Sequence, residues 1–350
     1  MKGRILHWRL ALLCAVVITL RAQDQGSSRQ IRVLAFGDVN LGRAVGQKLL
    51  QGDLEYPFAL VQDTLSRADA VLVNLESQLS DQGGQTQHPQ FDLIFCGPPE
   101  GAFTLKGANI SVVSTANNHA YDYGLRGLRE TIENLRAAGV LFTGTAEDSV
   151  SRFPPAILDI DSIRIGFVAY TKFVNLKGPW QGRIALFDEL MARQAISELR
   201  HDADFVIASY HSDVEYSDRP TASARKDMKA LVDAGADVVI GHHPHYVQGI
   251  ERYQNKLIFY SLGNFVFYQP HRERTQRGLG IELRLAKSPR GVSLEGVRLL
   301  PLRAGLQPSF SLTRSEEQAF IERLKKLSTV EIQEINGSWF TQIDPQSKDN

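Results

Sequence analysis

The sequence predicts an α/β fold, on three observations. Short apolar runs of strand length recur along the chain, segments between several of them show helical spacing, and the runs stop at Gly, Asp, Asn or His. With 350 residues, 43% of them hydrophobic, the chain can bury a sizeable core, in one large domain or two smaller ones. Lys+Arg and Asp+Glu both number 39, so the net charge is zero and no basic excess points to nucleic acid.

The elements follow in chain order. Lys2, Arg4 and Arg9 precede an apolar run, Leu10 to Leu20, and Arg21-Ala22 leads into a polar stretch. This predicts a secretory signal over residues 1–22, a linker over 23–30 and an exported protein, with an uncleaved membrane anchor as the alternative. Cleavage would leave Cys96 as the sole cysteine, which excludes an intrachain disulfide and a multi-cysteine metal site. Strands are expected at Ile31 to Phe36, Ala70 to Val73, Ile110 to Val113, Ile163 to Tyr170, Phe205 to Tyr210, Val238 to Ile240 and Leu257 to Ser261. Helical spacing marks Pro57 to Arg67, Leu125 to Ala138 (stopped by Gly139) and Ser223 to Ala234. Ser80 to Pro89 reads as a polar loop. Gly278 to Leu285 alternates like a half-exposed antiparallel strand, with Val292 to Leu299 as its partner. Ser315 to Leu327 reads as a final helix capped by Ser315, with Glu316 and Glu317 in its first turn. No linker divides the middle of the chain, so residues 31–305 form one domain and 306–350 a helical tail.

Several strand ends carry groups able to bind a cation. The first gives Asp38 and Asn40, the second Asn74 and Glu76, the third Asn118, His119 and Asp122, and a later one His211. Val238 to Ile240 runs into Gly241, His242, His243, Pro244 and His245, where Pro244 stops the strand. Each residue has a bland reading when isolated: Asp38 or Asn74 as a turn cap, Glu76 as a surface carboxylate, His119 as a hydrogen-bonded loop histidine. Recurrence outweighs this, because parallel strands present their carboxyl ends at one edge, where open sheets place their chemistry. Carboxylates, amides and imidazoles without thiolates suit Mn, Fe or Zn. A carboxylate can bridge two such cations. A histidine left off the metal can protonate a leaving group, and His119 with Asp122 behind it is the candidate.

The blocks FGDVNLGR (36–43), VNLES (73–77), ANNHAYDYG (116–124), the strand end at His211 and GHHPHYVQGIERYQNKLIFYSLGNFVF (241–267) resemble the capsule-synthesis CapA family, also called poly-γ-glutamate synthesis proteins. That family lies in the calcineurin-like metallophosphatase superfamily. The resemblance implies a double β-sandwich flanked by helices and a centre of two divalent cations. Asp38 and Glu76 would be metal carboxylates with Glu76 bridging, and Asn118, His211, His243 and His245 the further ligands. His119 would be the catalytic histidine. It implies a metal-dependent hydrolase of a phosphoester or anionic polymer or, alternatively, an accessory that binds and guides a capsule polymer. Membrane-bound capsule assembly proteins are the expected partners. The sequence departs from the superfamily pattern at Asn40, where a histidine is usual, and at Glu76, where the bridge is usually Asp. It departs from the CapA pattern at Ser212-Asp213 after His211 and at Cys96, where an arginine is expected. His242 has no counterpart role and reads as a group supporting the ligands or meeting substrate.

Overall fold

The structure is a computed structural model that describes residues 30–150 and 152–341. The expected signal and linker lie outside the described residues. Two sheets pack face to face. The first runs, edge to edge, through Ile332–Ile335, Ser338–Thr341, Gly291–Arg303, Arg277–Ser288, Gln30–Val39, Ala70–Leu75, Val112–Ser114 and Leu141–Thr143, with Asn264–Val266 added beside Gln30–Val39. The second runs through Ile250–Tyr253, Lys256–Phe259, Val238–His242, Phe205–His211, Ile163–Thr171 and Ala156–Ile160.

The two-residue period of a strand sorts the side chains between layers. Ile31, Val33 and Ala35 join Ile165, Phe167, Ile207 and Ile240 in the core between the sheets. Leu34 and Phe36 face the other way and pack with Val45, Leu49, Leu105 and Leu135 of the helices Arg43–Leu50, Gly101–Gly107 and Gly124–Ala138. Val206, Ala208 and Val239 of the second sheet lie under Ile196, Leu199, Met228 and Leu231 of Glu189–Asp202 and Ala222–Asp233. The result is the expected double β-sandwich flanked by helices.

Helix ends follow local chemistry. Leu128, Ile132 and Leu135 give Gly124–Ala138 its buried stripe, and Gly139 at φ 68° ends it. Asp188 caps Glu189–Asp202 by accepting from Met191 N at 2.9 Å.

Four expectations change. The final helix is Arg314–Leu327, capped two residues earlier than expected by Thr313, because Glu316 returns a bond to Thr313 N in a capping box. Beyond it, the described residues of the tail are not helical: Ile332–Ile335 and Ser338–Thr341 form a hairpin that extends the first sheet. Arg277–Ser288 is antiparallel and paired with Gly291–Arg303 as foreseen, but its middle is buried on both faces, since Phe36 covers Gly280 on the side away from the inter-sheet core. Pro57 to Arg67 yields only a 3-10 turn, Tyr56–Phe58, and a single helical turn, Gln62–Leu65, because Val61 leaves the helical region at φ −120°. Helices Arg43–Leu50, Gly101–Gly107 and Glu189–Asp202 were not foreseen.

Candidate metal centre

The parallel strands Gln30–Val39, Ala70–Leu75 and Val112–Ser114 of one sheet, and Phe205–His211 and Val238–His242 of the other, end at the same edge of the sandwich. Two glycines permit the approach. A Cβ at Gly37 would sit 1.7 Å from Gly263 O, and one at Gly241 would sit 2.0 Å from Tyr260 O. Asp38 N then donates to Gly263 O, and Glu76 N to Val39 O, which fixes both carboxylates by their own backbones.

Asp38, Glu76, Asn118, His119, Asp122, His211, His243 and His245 are all buried and meet here. Two overlapping groups form, Glu76 with His211 and His243, and Asp38 with Glu76 and His245; within each, the donor atoms lie within 4.8 Å of one another. Glu76 belongs to both. His211 Nε2 lies 2.7 Å from Asn118 Oδ1 and 3.7 Å from Glu76 Oε1. His245 Nε2 lies 3.9 Å from Glu76 Oε1, while its Nδ1 meets Asn264 Oδ1 at 2.8 Å, so Asn264 sets the ring's orientation. His243 and His245 hold φ 94° and φ 56°, a backbone region that non-glycine residues enter mainly where their surroundings enforce it.

His119 Nδ1 lies 2.8 Å from Asp122 Oδ2, which also accepts from Phe95 N at 3.1 Å. That pairing turns His119 Nε2 toward the cluster, 4.0 Å from Glu76 Oε1. Asn40 Oδ1 accepts from Gly42 N at 2.8 Å and so closes the turn that leads into Arg43–Leu50. His242 packs behind Asp38, with Nδ1 3.3 Å from Asp38 Oδ1, and lines a small inter-sheet cavity of about 20 Å³ with Ser114 and Ser209. Cys96 is buried, its thiol directed at Gln78 O and pushed up to about 12 by burial.

The electrostatics suit cations. Burial works against the Asp38 carboxylate, yet His242 and His245 hold its pKa well below the usual range. Burial, with Asp38 and Glu215 adding like charge, pushes Glu76 well above it. Burial lowers His211 well below an ordinary imidazole, helped by His243, and lowers His243 to about 3, helped by His245. Both rings are therefore neutral near pH 7, the form that binds metal. Asp38 Oδ2, Glu76 Oε1 and His243 Nδ1 are buried without a hydrogen-bond partner. Orphaned donor atoms converging on one place, with no thiolate among them, fit hard or borderline divalent cations.

Three contributors were missed or underread from sequence. Asn74 Nδ2 reaches Asp38 Oδ1 at 2.9 Å and His211 Nδ1 at 3.1 Å, so it ties the two sheets together. Asn117 donates to Leu75 O and accepts from His119 N, holding the third strand's loop. Arg43 lines a cavity of about 310 Å³ beside His119 and His245, together with Phe95, Tyr216 and Phe267. The FGDVNLGR block contained Arg43 but gave no reason to aim it there.

Two facing sheets whose parallel strands bring buried carboxylates, amides and imidazoles to one edge define an α/β sandwich protein with a candidate metal centre. The chain belongs to the bacterial capsule synthesis protein family PGA_cap, which matches residues 32–269. It is 30% identical over 260 residues to the PGA biosynthesis protein CapA of Bacillus subtilis, covering 73% of this chain and 68% of that protein. It is 28% identical over 252 residues to the capsule biosynthesis protein CapA of Bacillus anthracis, covering 69% of this chain and 61% of that one. A probable polyglutamine synthesis accessory protein of Mycobacterium tuberculosis is 27% identical over 301 residues, covering 77% of this chain and 76% of that one. Among solved structures, the calcineurin-like phosphoesterase YfkN from Bacillus subtilis aligns over 86% of this chain and 99% of that chain, with 14% identity and a TM-score of 0.48. No helix among the described residues is long and apolar enough to cross a membrane.

Proposed function

We propose that this protein is an exported, metal-dependent hydrolase with two divalent cations, Mn, Fe or Zn, acting on a phosphoester or anionic polymer in capsule-polymer synthesis or export. The observation that carries this reading is the pair of buried donor groups sharing Glu76, whose Oε1 has no hydrogen-bond partner. Asp38, Glu76, Asn118, His211, His243 and His245 would hold the cations. Asn40 Oδ1, which accepts from Gly42 N, has one lone pair left with which to join them. When bound, the cations would polarise the substrate oxygen and offset the charge that develops on attack.

The chain's own part is proton delivery. Asp122 accepts from His119 Nδ1–H and so orients the ring with Nε2 toward the cluster. Water adds to the phosphorus or carbonyl carbon, the bond to the leaving group breaks, the leaving atom takes the Nε2 proton of His119, and the proton shed by the water passes to solvent, from which His119 is reprotonated. The test is turnover of phosphomonoesters, phosphodiesters and γ-linked glutamate oligomers with added Mn²⁺. Chelator-sensitive cleavage of one class supports the reading, and no cleavage of any class defeats it.

A second reading is a non-enzymatic accessory that binds a capsule polymer and hands it to membrane-bound assembly proteins. One observation favours it: Asn40 closes a turn where a stronger ligand would complete the centre. The accessory name of the Mycobacterium tuberculosis relative points the same way. Polymer binding without cleavage would select it.

A further inference from the structure

The cavity beside His119 holds a guanidinium that the metal centre does not use. Arg43 opens the helix Arg43–Leu50 at φ 52°, in the left-handed region. Thr86 holds it there: Arg43 N donates to Thr86 O at 2.8 Å, and Thr86 Oγ1 donates back to Arg43 O at 2.9 Å. Backbone held in this region is a recurrent mark of functional sites.

The side chain is placed against the reaction centre. Its Cζ lies 4.7 Å from the Phe95 ring centroid and 5.9 Å from that of Phe267. The Phe95 ring also lies 4.2 Å from the His119 ring, and the Phe267 ring 4.8 Å from the His245 ring. The cation is therefore one aromatic ring away from the candidate proton donor and one ring away from a candidate ligand. Nη2 donates to Asp92 O at 2.6 Å, while Nε is buried without a partner. Among the described residues Arg43 makes no ion pair, whereas buried carboxylates elsewhere do hold arginine or lysine.

We propose that Arg43 is a specificity-determining residue that binds a carboxylate of the ligand next to the group held at His119. This rests on the reading of the site given above. Guanidinium matches a carboxylate with paired N–H donors, and stacking on aromatic rings leaves available at its edge the donors that Asp92 O does not take. The cavity walls supply Phe91, Leu93 and Leu176, which suit a hydrocarbon stem, and Glu215, which opposes a dianion. In a γ-linked glutamate unit the free monoanion is the α-carboxylate, set beside the two methylenes of the polymer backbone. A phosphate is the other source of an oxyanion, and the test separates them.

The experiment measures equilibrium binding to the full chain, with and without Mn²⁺, of three probes: γ-linked glutamate oligomer, its neutral α-carboxamide (isoglutamine) counterpart and phenyl phosphate. Wild type should prefer the glutamate to the isoglutamine oligomer. Arg43→Met should weaken the glutamate oligomer roughly 10–100-fold, the worth of a charged hydrogen bond, and leave the isoglutamine oligomer unchanged. Arg43→Lys, which keeps the charge without the fork, should recover part of the loss. Metal content and melting temperature of both variants should match wild type. Equal binding of the glutamate oligomer by Arg43→Met and wild type overturns the proposal, as does a wild type that does not distinguish the two oligomers. Selective loss of phenyl phosphate instead overturns the carboxylate assignment. Metal analysis of the same samples tests the metal centre separately, so a metal-free wild type that still shows the Arg43 effect would sink only the metal reading.

Discussion

Asp237 and Asp38 are both buried aspartates at strand termini, one before the amino end of Val238–His242 and the other at the carboxyl end of Gln30–Val39. Asp237 accepts from Arg200 Nη1 at 2.6 Å, Lys256 Nζ at 2.5 Å and Val206 N at 2.9 Å. Asp38 has imidazoles and an amide around it, and its Oδ2 has no hydrogen-bond partner. The contrast extends across the described residues. Buried Asp227 pairs with Lys172, Glu251 with Lys229 and Arg225, and Glu282 with Arg284. Buried Asp38, Glu76 and Asp122 pair with no lysine or arginine; histidines and amide groups surround them. A buried carboxylate without a compensating charge costs several kcal/mol, and on the proposed reading bound cations supply that charge at this edge. Protein-paired acids hold the sandwich together, and unpaired ones cluster at the candidate site.

Substitutions at the two ends should separate these roles. The largest effect belongs to Glu76→Ala, which removes the oxygen shared by both donor groups. Metal content should fall to background, and turnover should drop at least 10³-fold, on the order of several kcal/mol of lost charge stabilisation. Retention of stoichiometric metal in this variant would break the shared-ligand reading. His119→Ala should keep metal and fold yet lose roughly 10²–10⁴-fold in turnover, the usual worth of positioned acid catalysis. His119→Gln should fall nearly as far, because its amide cannot deliver a proton. A parallel loss of thermal stability and activity would instead make His119 a structural residue. Asp122→Asn should fall less than His119→Ala, since the ring and its proton remain. Asp237→Ala, at the opposite end, should have the smallest effect on metal and turnover: about 1–3 kcal/mol of stability should be lost with Val206 N left unpaired, as read by chemical denaturation. Its metal content should stay at the wild-type level; a loss of metal there would erase the distinction between the two ends.

Much of this was legible in the sequence because strands buried on both faces are near-continuous apolar runs, and their ends are marked by polar residues. Asp38, Glu76, His211 and the three histidines after Gly241 were visible in that way. Other features needed the third dimension. Asn74 joins two sheets whose contact no local pattern announces. Arg43 stands in the FGDVNLGR block with no local sign of its surroundings, and its stacking on Phe95 depends on a loop about fifty residues further along the chain. Glu189–Asp202 lies over the second sheet with only Ala192, Ile196 and Leu199 buried, a sparse stripe that gives a faint periodic signal. The terminal hairpin was missed for a related reason: Ile332–Ile335 and Ser338–Thr341 are short, and their fit to the sheet is set by pairing with Gly291–Arg303.

The account turns on whether the unpaired carboxylates at the sandwich edge hold cations. The direct measurement is metal analysis of wild-type protein purified without chelating resin and dialysed against Mn²⁺. The account predicts about two ions per chain, one for each donor group around Glu76. A folded chain that carries no ion after this treatment would contradict it.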